Sequence, residues 1–77
     1  MNRSEFLLEL DNVIEARPGT LKGDEKLADL SEWNSLAVIC FIAMADEKLK
    51  MQLSGKDIAA CQSVSDLEHL LGDRITP

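Results

Sequence analysis

The stretch SLAVICFIAMADEKL, residues 35 to 49, runs for fifteen residues without a glycine or a proline, and ten in succession, Leu36 to Ala45, are apolar. The apolar run is too short to span a bilayer, which takes about 20 residues, and the whole segment is too long for an ordinary strand. It specifies a helix from Ser35 to Leu49 with Asn34 or Ser35 as its N-cap. A helix this apolar must be covered. Leu36, Ile39, Ile42, Ala43 and Leu49 make an inward stripe, while Val38, Cys40, Phe41 and Met44 carry the apolar character on around the cylinder. One face belongs to a core, and the rest meets a cavity or a partner.

Periodicity orders the other elements. Phe6, Leu7, Leu10, Val13 and Ile14 share one side of a first helix, capped by Asn2 or Ser4 and stopped at Arg17-Pro18-Gly19, because proline disfavours helical geometry in the residue before it. Between Ala16 and Asn34 no helical period is sustained. A connection of that length needs anchors. Leu21, Leu27, Leu30 and Trp33 are spaced to serve as apolar pegs, and the composition is not that of a Ser/Gly-rich linker. Ser54 opens a short segment, GKDIAAC, with Ile58 and Cys61 three apart. The last helix has Ser63 or Ser65 as cap, Glu68 closing a capping box on Ser65, an inward set of Val64, Leu67, Leu70 and Leu71, and Gly72 at its end. The expected fold is all-α: a bundle of three main helices plus one short helix, with a long loop between helices one and two, forming a single domain over residues 1–77.

A domain of 77 residues buries only about 60% of the surface its unfolded chain exposes. With one Trp, two Phe and no Tyr, it has little from which to wall off a reaction cleft, so an enzyme is disfavoured. The net charge of −6 opposes phosphate backbones and excludes nucleic acid as the expected partner, while favouring a basic protein surface. The first eleven residues carry three acids, and the first fifteen show no signal-peptide pattern, which points to the cytoplasm. Cys40 and Cys61 lack metal-ligand spacing and read as free structural thiols, with no metal site expected. His69, the one histidine, reads as a surface or half-buried helix residue. A Ser-His pair would also need an orienting group and an oxyanion site, so no catalytic residue is assigned.

That leaves the serine in "EWNSL". A helix N-terminus presents unpaired N–H groups and positive partial charge, which favours a phosphate on Ser35. The long loop after helix one, the capped "WNSL" opening an apolar helix and the late S-x-S-D-L-E-x-L-L pattern together resemble an acyl carrier protein over nearly the whole chain. In that family a serine within an Asp-Ser-Leu motif carries 4'-phosphopantetheine, and Ser35 and Leu36 match it.

The resemblance implies a monomeric carrier whose arm, attached by a phosphopantetheinyl transferase, holds acyl groups as thioesters and delivers them to acyl-transferring or acyl-modifying enzymes with basic or apolar docking surfaces. It implies docking through Asn34, Leu36, Ala37, Val38, Phe41, Met44 and Glu47. For Phe41 a core role weighs at least as much as docking. The family's acid before the serine is Asn34 here, and Ala37 and Cys40 stand where fatty-acid carriers often have acids. These departures point to a specialised lipid, secondary-metabolite or cell-envelope pathway. The competing reading is a small acidic helical interaction module with Ser35 unmodified.

Overall fold

In the computed structural model, which describes residues 1–76, helix α1 (Arg3–Val13) begins at a capping box. The Glu5 amide donates to Asn2 Oδ1 at 2.8 Å and the Asn2 amide donates to Glu5 Oε1 at 3.2 Å. The helix ends ahead of Arg17-Pro18-Gly19. Glu15 takes a left-handed φ of 58°, its amide donates to Asn12 O at 3.1 Å, and the Ala16 amide donates to Asp11 O at 2.8 Å. This pair of bonds is a Schellman closure, so the proline does not stop the helix.

The loop that follows is pegged into the core, with Leu21 and Leu27 buried and Leu30 and Trp33 half-buried against it. A carboxylate does the rest. Asp11, on α1, is 1% exposed and accepts the Gly19 amide at 2.8 Å and the Leu21 amide at 3.0 Å. Further on, Glu25 accepts the amides of Lys22 (2.8 Å) and Gly23 (2.9 Å). Gly23 has a φ of 115°, and the space a Cβ would take is filled by the Arg3 guanidinium, so this position requires glycine. A single 3₁₀ turn, Leu27–Asp29, interrupts the loop where no helical period was expected.

Helix α2 spans Ser35–Leu49. Helix α3 (Gly55–Ala59) is held by a capping box between Ser54 and Asp57, and α4 (Val64–Leu71) by Ser63, whose Oγ accepts the Asp66 amide at 3.1 Å. Ser65 is not the cap, and Glu68 instead accepts from Arg3 Nε at 2.9 Å, joining α4 to α1. The loop reaches α4 through backbone bonds of 2.9 Å from Leu27 N to Gln62 O and from Val64 N to Glu25 O. Gly72, with a φ of 55°, caps α4 and leads into a last 3₁₀ turn, Gly72–Arg74. Thr76 N donates to Met1 O and Arg3 N to Thr76 O, so the two ends of the described chain lie together.

The architecture is all-α, with isolated bridges and no strand among the described residues. Phe6, Leu10, Phe41, Val64, Leu67 and Leu71 form its fully buried centre. Phe41 meets Phe6 edge-on with ring centroids 6.5 Å apart and Trp33 at 6.1 Å. The inward stripe of α2 is Ala37, Phe41, Met44, Ala45 and Leu49. Of the expected stripe only Leu49 is buried. Ile42 is half-buried, Ala43 is exposed, and Leu36 and Ile39 are 66% and 62% exposed. The aromatic contacts rotate the helix so that Phe41 points in, which turns Leu36 and Ile39 out. None of the described helices is long and apolar enough to cross a membrane.

Candidate functional site

Asn34 precedes α2 in extended backbone, with φ −133° and ψ −173°, and its Oδ1 accepts the Ala37 amide at 3.0 Å. The cap is therefore the asparagine. Ser35 is the first helical residue, exposed, with its hydroxyl left free of the capping role. Leu36 beside it is exposed as well. A group attached to Ser35 Oγ would displace no buried side chain and break no cap. A phosphodiester there would also lie near the open N–H groups and positive end of a fifteen-residue helix.

The residues assigned to docking divide into two groups. Asn34, Leu36 and Glu47 are exposed and Val38 is half-buried. Ala37, Phe41 and Met44 are 3%, 0% and 6% exposed, so no partner reaches them without unfolding the helix from its core. Phe41 is held between two aromatic rings, and Ala37 and Met44 lie about one turn to either side of it on the same face. The outward face consists of Leu36, Ile39, Cys40 and Ala43 instead. Their i, i+3, i+4, i+7 spacing was visible in the sequence but equally suited a buried stripe.

Depressions flank α2 on both sides. One, of about 480 Å³, lies between the 3₁₀ turn and α3 and is lined by Leu30, Ser31, Trp33, Val38, Ile58 and Cys61. Burial raises the Cys61 thiol above its ordinary pKa, and the Asp66 and Asp57 carboxylates add to the rise, so this thiol is a poor nucleophile. On the other side, at the α1–α2 seam, two smaller depressions share Val13, Glu15 and Cys40. His69 is exposed on α4 and makes no hydrogen bond to Ser35 among the described residues. No group of three or more His, Cys, Asp or Glu side chains among the described residues is placed to hold a metal ion.

Comparison with protein-family models, with curated proteins and with solved structures finds no match for this chain. The resemblance to acyl carriers accordingly rests on the sequence features alone: the order of elements, the long loop after helix one, the capped WNSL and the late S-x-S-D-L-E-x-L-L pattern. Asp11 went unrecognised in the sequence, where an acid on α1 reads as solvated. Its signal was position, since it follows Leu10 and precedes Ile14 by three, beside the buried arc.

Proposed function

We propose that this chain is a carrier protein bearing 4'-phosphopantetheine on Ser35. The observation that carries the reading is the division of labour at residues 34 and 35. Asn34 caps the helix, so Ser35 stands exposed at the helix start without the structural duty that explains most serines in such places. The Ser35 hydroxyl attacks the phosphorus of coenzyme A that bears the pantetheine. A phosphodiester forms, the pyrophosphate bond breaks, adenosine 3',5'-bisphosphate leaves, and the serine proton passes to a base of the transferase. The arm's thiol then holds an acyl group as a thioester and presents it to successive enzymes at high effective concentration. The carrier itself needs no catalytic group.

Asn34, next to Ser35, and Cys40, in the second turn of α2, stand where carriers of the general fatty-acid type often have acids, and both are exposed. Ala37, being buried, is not a position where a docking acid could act. The neutral surroundings of Ser35 favour cargo enzymes of a specialised lipid, secondary-metabolite or cell-envelope pathway. The test is intact-mass measurement after incubation with coenzyme A and a broad-specificity phosphopantetheinyl transferase. The mass of one arm should be added, and Ser35→Ala should remove the gain. An arm on Ser31 or Ser54 would overturn the assignment.

A further inference from the structure

We infer that this chain carries acyl groups too short or too polar to gain from burial, because Trp33 seals the interior of the bundle against the end of the arm. The inference rests on the proposed attachment at Ser35. Trp33 stands two residues before that serine. It lines the depression between the 3₁₀ turn and α3, beside Val38 and Ile58, and it also meets Phe41 edge-on with ring centroids 6.1 Å apart. The indole therefore lies between the open depression and the buried rings. The space behind it is taken: Phe41 packs edge-on against Phe6 at 6.5 Å, and Phe6, Phe41, Val64 and Leu67 are all 0% exposed.

The tryptophan is fixed from both sides. Its amide donates to Leu30 O at 3.0 Å, Leu30 N to Leu27 O at 3.1 Å and Leu27 N to Gln62 O at 2.9 Å, a series that ties its backbone to the segment ahead of α4. After it, Asn34 is locked in place as the cap of α2 through the Ala37 amide. Swinging the indole aside would strain these bonds and part the Trp33–Phe41 pair. Across α2, the depression beside Leu36 holds only about 170 Å³ and is backed by Ile14 and Ala37, both buried in the core. A long alkyl chain would gain shelter only by displacing packed rings, and left outside it exposes apolar surface to water. A short or polar acyl group, such as a hydroxy or amino acid, loses nothing by staying outside.

The test loads the full chain from acetyl-, hexanoyl- or dodecanoyl-coenzyme A with a broad-specificity phosphopantetheinyl transferase, so that the arm arrives with its thioester already formed. Cleavage of that thioester by hydroxylamine is then timed against the same acyl-coenzyme A free in solution. On wild type each thioester should be cleaved within about threefold of its free counterpart, and the thermal midpoint should not climb with acyl length. Trp33→Ala vacates room beside Phe41. The dodecanoyl thioester should then be cleaved at least about tenfold more slowly than its free counterpart, since each sheltered methylene strengthens an apolar association about fourfold. The acetyl thioester should not change. Trp33→Val, a smaller truncation, serves if the alanine variant does not fold, and Trp33→Phe, which keeps a ring against Phe41, should behave as wild type. Protection of the dodecanoyl thioester beyond about threefold on wild type, or a midpoint that climbs with acyl length, would overturn the inference. So would folded Trp33→Ala or Trp33→Val chains that protect it no better than wild type. A chain that takes no arm from any of these donors would instead refute attachment at Ser35, whereas loading followed by protection leaves that attachment standing.

Discussion

The two long faces of α2 are built from the same kinds of residue and have opposite fates. Ala37, Phe41, Met44, Ala45 and Leu49 are sealed into the bundle, while Leu36, Ile39, Cys40 and Ala43 face out. Hydropathy does not separate them. Shape does, since only one face offers a ring that fits edge-on between Phe6 and Trp33. Edge-to-face aromatic pairs add about 0.5–1.5 kcal/mol beyond the area they bury, enough to fix which way a uniformly apolar helix turns in a small bundle. The outer face is then apolar surface that the fold does not use.

The two faces should respond most differently to substitution. Phe41→Ala should cost about 3–5 kcal/mol by denaturant unfolding, whereas Ile39→Ser, at 62% exposure, should stay within about 0.5 kcal/mol. Equal losses would place both side chains in the core. Next in size is Asp11→Ala, which leaves the Gly19 and Leu21 amides without their acceptor and should cost about 1–3 kcal/mol. It should also loosen the loop that brings Trp33 to Phe41, seen as a more exposed Trp33 fluorescence spectrum.

The start of α2, where the faces diverge, gives a smaller contrast. Asn34→Ala should cost about 1 kcal/mol and Ser35→Ala only a few tenths, measured as separate shifts in thermal midpoint. A larger loss at Ser35 would show that the serine holds the helix.

The smallest effect is one of pH. Burial raises the Glu25 pKa, but the amides of Lys22 and Gly23 outweigh it and hold the carboxyl below its ordinary value. A group with a lowered folded-state pKa stabilises the protein above its unfolded value, and that contribution is lost as pH falls through the folded one. Glu25→Gln should therefore lower the thermal midpoint slightly near neutrality and flatten its acid limb, the gap to wild type closing as pH falls.

Much of the fold was legible because caps are local. Asn2, Asn34, Ser54, Ser63 and Gly72 each mark a helix end through chemistry contained within a few residues, and the bounds of α2 follow from one such cap and an unbroken run. The loop pegs Leu21 and Leu27 were legible as isolated apolar residues in a polar stretch. The orientation of α2 was not, because its apolar residues satisfy the helical period on either side and only contacts with distant Phe6 decide between them. The end of α1 was misplaced for a related reason. A Schellman turn on Glu15 uses a residue with no special preference for left-handed backbone, and Asp11 holds the chain beyond it from inside the core. At the site, the serine was readable, with Asn34 or Ser35 itself as the cap, and Asn34, Leu36 and Glu47 are exposed as a docking role requires, but Ala37, Phe41 and Met44 turn inward with the orientation of the helix.

On the proposed reading, Ser35 is exposed for modification and not for structure. The most direct test of that reading is the intact mass of wild-type and Ser35→Ala chains after treatment with coenzyme A and a broad-specificity phosphopantetheinyl transferase, with their thermal unfolding measured alongside. Wild type should gain one phosphopantetheine, located on the peptide containing Ser35, Ser35→Ala should gain none, and the unfolding curves should be nearly superimposable. An unmodified wild-type chain in a reaction where a control carrier is fully converted would contradict that reading.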